Sequence, residues 1–238
     1  MSHNGELDKT SLDFMLNELA KVLKKISGKN IEPMEIILVG GAAIVAKHHF
    51  RHSTKDVDAW LFSEQRLSQA IRQVGERFGF SPRWLNQDFV KTASFSQKLR
   101  EVSVHYRTFQ SILEVRVIQG SDLIAMKLMA GRRYKNDLSD IVGVLMDYEE
   151  QDQSLSINQI LHSIQSLYGI SELPDVSLMK WLEDIMQQGH YRELYDQVRT
   201  EEISNQNVVI EAIDQGININ DEADAMAVLE MIRRKQTQ

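Results

Sequence analysis

Leu38-Val39-Gly40-Gly41 and Asp56-Val57-Asp58-Ala59-Trp60 hold residue types that together handle phosphate and divalent cations. On a strand, positions i and i+2 point to one side, so Asp56 and Asp58 project together while Val57 turns to the core. Two adjacent carboxylates repel, and burying them unpaired is costly. A bound cation relieves that conflict, and Mg²⁺ takes oxygen ligands while sharing its remaining positions with substrate phosphates. Gly40 and Gly41 let the backbone come close to a phosphate. The helix that follows offers unpaired N–H groups and the positive end of its dipole. Metal-binding acids beside a phosphate cradle describe phosphoryl or nucleotidyl transfer. Each motif alone has a plainer reading. A D-x-D pair is commonly solvated or ion-paired, and Gly-Gly before a helix is ordinary turn chemistry. Their order on consecutive strands favours the joint reading.

The stretch LVGGAAIVAKHHFRHSTKDVDAWLF resembles the signature of the nucleotidyltransferase superfamily: a hydrophobic-Gly-Gly/Ser turn, a loop, then Asp-hydrophobic-Asp/Glu-hydrophobic. Arg51, Thr54, Lys55, Asp56 and Asp58 match the R-x-x-T-K-D-hydrophobic-D form of a bacterial family of uncharacterised nucleotidyltransferase-like proteins, related to AbiEii-type toxins. Asp122-Leu123-Ile124-Ala125-Met126-Lys127-Leu128 resembles that family's D-L-hydrophobic-A-x-K-L helix. Arg132 through Asp140 resembles its R-x-x-K-D-x-x-D continuation.

The resemblance implies a palm-like mixed sheet whose two aspartates hold one or two Mg²⁺. It also implies attack of an acceptor hydroxyl on the α-phosphate of a nucleoside triphosphate, releasing pyrophosphate. Gly40, Gly41, Arg51, Thr54, Lys55 and Lys127 would meet the nucleotide phosphates, and many members add a third carboxylate from a neighbouring strand. Glu114, on the strand face of Ile112 and Arg116 opposite Leu113, Val115 and Val117, is the candidate here for that metal ligand or base, with a solvent-facing Glu114–Arg116 pair as the alternative. Lys127, set between Met126 and Leu128, either snorkels to water or reaches phosphate. Asp137 and Asp140 pair with Arg132, Arg133 or Lys135 to orient the site, or serve as a helix cap with surface ion pairs. The second loop position is Gly41, where many active members carry Ser.

The surrounding elements must position these residues. Apolar residues from Leu12 to Ile26 recur on one helical face, with Thr10 and Asp13 resembling a capping box and Gly28 as the stop. A strand is expected over 35–39, a helix over 42–46, a loop over 47–55, a strand over 57–62 and a helix over 64–78. Strands over 101–106 and 112–118 would join through a hairpin turn. Ser121 is expected to cap a helix through Met129, and Asn136 or Asp137 the next one through Tyr148. The polar segment 149–156 divides a palm domain with its N-terminal helix, 1–150, from a helical region, 151–238, in which Pro174 starts a helix. The fold class is α+β, a mixed sheet flanked by helices with an α-helical C-terminal region.

Composition sets outer limits. The chain has 238 residues, 42% hydrophobic and 26% charged, ordinary for a globular protein. A net charge of -7 argues against a broad nucleic-acid footprint. Lys91, Lys98, Arg100, Arg132, Arg133 and Lys135 are the raw material for a local basic patch. With no cysteine there is no thiol nucleophile or zinc-thiolate site. His48, His49 and His52 lack metal-ligand spacing and read as loop residues. Trp60 and Trp84 either stack on a base or pack in the core. Neither a signal peptide nor a membrane span is legible, so the expected setting is the cytoplasm.

The function expected is Mg²⁺-dependent transfer of a nucleoside monophosphate to RNA, protein or a small molecule, with a toxin–antitoxin or phage-defence role and an antitoxin partner as a possible setting. The rival is a catalytically silent binding module acting through the helical C-terminal region.

Overall fold

Val57, Ala59 and Leu61 are buried while Asp58 and Trp60 between them are half-buried, the alternation of a strand with two unlike faces. In a computed structural model, which describes residues 5–28, 33–62, 64–169, 171–219 and 221–236, this segment is β2 (Val57–Leu61). It lies antiparallel to β1 (Met34–Leu38), with Ile37 opposite Trp60 and Leu38 opposite Ala59. β1 sits at the centre of the sheet. Its last three residues are buried on both faces, which explains its unbroken apolar run. On its other side runs β5 (Leu113–Val117), parallel, with Glu35 opposite Glu114 and Leu38 opposite Val117. β4 (Val104–Phe109) pairs antiparallel with β5, and the short β3 (Leu85–Asn86) pairs parallel with β2. The strand order is β3-β2-β1-β5-β4. The fold is α+β, as the sequence indicates.

Helices cover both faces of the sheet. Under one face α1 (Lys9–Ser27) and α3 (Glu64–Phe78) pack on Ile36, Leu38, Val57, Ala59, Val115 and Val117. Leu12, Leu16, Leu19 and Leu23 of α1 are fully buried, and each contributes on the order of 2 kcal/mol. Gly28, at φ 68°, ends α1.

The other face carries Ile37 and Trp60, and against it lie α5 (Gly120–Ala130) and α6 (Asp137–Glu150). After α6 come α7 (Ile157–Tyr168), α8 (Val176–Gln188), α9 (Tyr191–Asp214) and α10 (Glu222–Gln236). A reciprocal cap between Ser156 and Gln159 starts α7. The apolar cluster runs on across the 149–156 turn through Ile160, Ile164, Leu178, Leu182 and Val198. α9 lies along α6, which brings the C-terminal third beside the sheet's second face.

Several local expectations are corrected. The cap of α1 is Asp8, whose carboxylate accepts from Ser11 N at 2.7 Å. Asp13 is drawn instead to Tyr106 and Arg107 at 2.7 and 2.9 Å. α5 starts at Gly120 behind Gln119, while Ser121 accepts from the Ser163 hydroxyl at 2.8 Å. Glu101 and Val102 belong to a short helix, α4 (Leu99–Val102), so the strand begins at Val104. α8 begins behind Asp175, whose carboxylate accepts from Ser177 N and Leu178 N, one residue after Pro174. Among the described residues no helix is long and apolar enough to cross a membrane.

Candidate active site

The corner after β1 is built for a close approach. Val39 is extended, and its N–H donates to the Asp58 carbonyl at 3.0 Å, holding β2 against the corner. Gly40 then takes φ 53°, a left-handed turn that favours glycine, and opens α2 (Gly40–Lys47). A Cβ on Gly40 would lie 3.9 Å from Asp58 Oδ2, so the Asp58 carboxylate sits directly beside the turn.

The departure at Gly41 has a steric reason. A Cβ there would meet Thr54 Oγ1 at 2.9 Å and the Arg51 guanidinium at 3.0 Å. The space of the usual serine side chain is taken by a hydroxyl and a cation from the loop. That loop is pinned: Thr54 exchanges backbone hydrogen bonds with Leu7 at 2.8 and 3.0 Å, and its hydroxyl donates to the Asp56 carbonyl at 2.9 Å.

Asp56 and Asp58 stand where two clefts meet. One, of about 310 Å³, is walled by Val39, Phe89, Thr92, Ser94, Leu123 and Met126. The other, of about 620 Å³, is walled by Arg51, Lys55, Arg132, Lys135, Tyr195 and Arg199. Both are lined by Gly40, Asp56, Asp58, Lys127, Arg132 and Lys135. Burial, and then the charge of Asp56, push the Asp58 carboxyl above its ordinary range, against the pull of Lys127 and Arg132. Neither acid has an ion-pair partner among the described residues.

Lys127 does not snorkel. Its ammonium is buried between Asp137 at 3.0 Å and Asp140 at 2.6 Å. Arg132 adds a hydrogen bond to Asp137 from Nε at 2.7 Å, and Arg51 lies 3.2 Å from Asp140. Burial alone would push Asp137 up, but Lys127 and Arg132 overcome it and hold the carboxyl at about 2. Burial alone would pull Lys127 down; Asp140 and Asp137 reverse this and raise it. Of the six cations proposed as a patch, Arg132 and Lys135 line both clefts. Arg133 reaches Ser177, and Arg100 pairs with Glu35 at 2.9 Å.

Glu114 is corrected. It shares the sheet face of Asp58, but the parallel register sets it opposite Glu35, four residues before Val39. At ~3.3 Å per residue that is roughly 13 Å from the corner. There Glu114 pairs with Arg116 at 3.4 Å. Among the described residues no three His, Asp or Glu converge as a metal cluster. A third acid that does line the narrow cleft is Asp88, just past β3 and paired with Arg83 at 2.5 Å, and its charge adds to the upward push on Asp58. A two-residue strand leaves no periodicity, so sequence reasoning passed it over.

His48, Trp60 and Trp84 have structural roles, while His52 lines the wide cleft. His48 is buried, with Nδ1 2.7 Å from Asp147 Oδ2, and burial lowers its pKa. Trp84 is buried with its indole N–H on the Ile71 carbonyl at 3.0 Å, and Trp60 packs edge-on to Phe95.

The second region missed by sequence is α9. Asn136 caps α6 without a side-chain hydrogen bond to the helix's own N–H groups. Glu202 does that work: its carboxylate accepts from Leu138 N at 2.8 Å and Ser139 N at 3.2 Å. Arg199 donates to Asn136 Oδ1 at 2.5 Å. Burial pushes the Glu202 carboxyl from 4.5 up to about 7. Wild-type stability is therefore expected to fall as pH rises from 4.5 to about 7 on this group's account, because the unfolded chain releases the proton first. Glu202→Gln keeps an oxygen for both N–H groups and removes that slope. Urea unfolding at pH 5 and pH 8 should show the variant gaining on wild type at pH 8 by on the order of 2 kcal/mol.

Corner, unpaired acids and cationic wall together suit an Mg²⁺-bound or otherwise neutralised phosphate chain. No curated protein and no solved structure matches the chain. A family profile described as "nucleotidyltransferase of unknown function (DUF6036)" matches residues 15–188, from α1 to the end of α8. The chain belongs to that nucleotidyltransferase family.

Proposed function

We propose that the protein transfers a nucleoside monophosphate from a nucleoside triphosphate to an acceptor hydroxyl, with Mg²⁺ held by Asp56 and Asp58. One observation carries this reading: two carboxylates, with no ion-pair partner among the described residues, stand beside the Gly40 turn where two clefts that share Arg132 and Lys135 meet. Their oxygens suit a hard cation whose remaining positions go to phosphate and water. When bound, Mg²⁺ would offset the charge of the triphosphate and make the acceptor oxygen a better nucleophile.

The protein's own groups do the rest. The N–H groups at the start of α2 face the phosphate chain. Arg51, Lys55 and Arg132 balance its charge from the wide cleft, and Leu123, Met126 and Phe89 exclude water on the narrow side. The acceptor oxygen forms a bond to the α-phosphorus, the α–β bridging P–O bond breaks, and pyrophosphate leaves with the bond pair. The acceptor's proton passes to Asp88, which takes the part expected of Glu114. Replacing Asp88 by Asn should lower kcat by about 10²-fold with little change in nucleotide affinity. Glu114→Gln should leave both unchanged. Single-turnover transfer and equilibrium nucleotide binding, measured side by side, separate the two roles.

The direct test uses each NTP labelled at the α-phosphate, with Mg²⁺ and RNA, protein and small-molecule fractions of cell extract as acceptors. Label moves to one acceptor class, and Asp56→Asn with Asp58→Asn abolishes the movement. Nucleotide binding with no transfer from any fraction would make the chain a silent binding module instead. The resemblance to AbiEii-type toxins extends the proposal to growth arrest on expression, lost with the same two substitutions.

A further inference from the structure

Helix α9 leaves one face uncovered. Its buried side, formed by Val198, Glu202, Asn205, Val209 and Ala212, lies on the body of the protein. About a third of a turn round, Ile203, Ile210 and Ile213 are 44, 47 and 50% exposed. With Arg199 and Gln206 they form one stripe at the i, i+4, i+7, i+11, i+14 spacing of a helix-packing seam. Arg199 and Gln206 also line the wide cleft, so the stripe continues from the cleft's wall onto open surface. Three isoleucines on a seam exceed the scattered exposure of an ordinary surface and mark a site of association.

Charge narrows the occupant. The border of the stripe away from the cleft carries Glu193, Asp196, Glu211 and Asp214, all exposed. None of the four has an ion-pair partner among the described residues. These carboxylates repel RNA and anionic lipid. In an antiparallel pairing with a second copy, the acidic border would face its own duplicate. What fits is a helix with apolar residues at matching spacing and Lys or Arg along one edge.

We propose that the α9 seam docks a basic amphipathic helix of a partner protein, laid beside the mouth of the active-site cleft. Apolar contact supplies the affinity and the carboxylates select the basic edge. The helix passes Arg199 and Gln206, so its docking controls access to the wide cleft.

The test needs no known partner. A displayed library of random 20-residue peptides is selected on the full-length protein, with an Ile203→Asp, Ile210→Asp variant as counter-selection. Retained sequences should carry apolar residues at i, i+3 or i+4 and i+7 with Lys or Arg beside them. Fluorescence anisotropy should show affinity falling at least tenfold in the isoleucine variant. It should fall several-fold in Asp196→Asn, Asp214→Asn, whose conservative changes keep the fold if the first variant does not. Asp58→Asn should bind peptide as wild type does, which separates this proposal from the transfer reaction. The proposal is overturned if no peptide survives counter-selection or if survivors lack basic residues. It is equally overturned if sedimentation shows a dimer that Ile210→Asp dissociates, or if RNA or anionic vesicles bind through the isoleucines.

Discussion

Asp58→Asn is expected to lose transfer by roughly 10²- to 10³-fold while melting at a higher temperature than wild type in metal-free buffer. The first effect follows from position. Asp58 is the carboxylate nearest the Gly40 turn, and removing one preorganised charge contact at a transferring phosphate costs on the order of 3–4 kcal/mol of barrier. The second follows from what surrounds it. Burial and the neighbouring charge of Asp56 both oppose ionisation of this carboxyl and outweigh the pull of Lys127 and Arg132. Asparagine keeps the shape and removes the charge, so the folded state gains. Mg²⁺ with a non-hydrolysable nucleotide should raise the wild-type melting temperature, because only a ligand that prefers the native state stabilises it. The same addition should leave the variant's melting temperature unmoved. A variant that melts lower than wild type would mean that Asp58 has a stabilising partner in solution. A variant that still transfers label would remove these acids from the reaction.

The parts of this site that were legible in sequence are those whose geometry is local. The turn and the D-x-D pair announce themselves because a glycine corner and a period-2 alternation are properties of short segments. VDAWL and LEVRV carry their two-faced burial in their own letters. Glu114 shows where that ends. Its sheet face follows from the alternation of LEVRV, but how far along β1 it lies depends on the parallel register between strands distant in sequence, which neither strand encodes alone. The Lys127 motif was visible through its resemblance, yet its partner Asp140, shared with Arg51 from a loop 89 residues earlier, emerges only when α5 and α6 fold over the sheet. Glu202 and Arg199 sit in a helix with no motif at all. Their role is set by where α9 lands on the start of α6. The α4 segment misled for a different reason. Glu101-Val102-Ser103-Val104 alternates like a strand, but one helical turn closed by Ser103 N donating to the Leu99 carbonyl at 3.0 Å takes its first two residues.

Lys127→Met should destabilise the protein by about 3 kcal/mol, at the lower end of the cost of breaking a buried ion pair. Methionine preserves the length and apolar stem of lysine, so packing changes little and the loss is electrostatic. Asp137 and Asp140 are 0 and 2% exposed and would lose the ammonium between them. The loss stays at the lower end because Arg132 still holds Asp137 and Arg51 still holds Asp140. The pH dependence gives the prediction a sign. In wild type the Asp137 carboxyl is held at about 2, below its ordinary 3.8, so its share of stability is present above 3.8 and is lost as pH falls from there. Without Lys127 that carboxyl titrates higher, and the variant should begin its acid unfolding nearer neutrality. The raised pKa of Lys127 works on the alkaline side: its contribution is complete below 10.5 and fades above that in wild type, while the variant shows no such fading. Urea unfolding from pH 4 to pH 8 measures the acid limb. Adding Asp140→Asn to Lys127→Met should recover part of the loss, because a buried charge left with Arg51 alone then disappears. Failure of that recovery would mean the lysine acts through packing rather than through its charge. The network's service to the reaction would then come down to Arg51, whose guanidinium reaches from Asp140 to the Gly41 position that a serine side chain would otherwise fill.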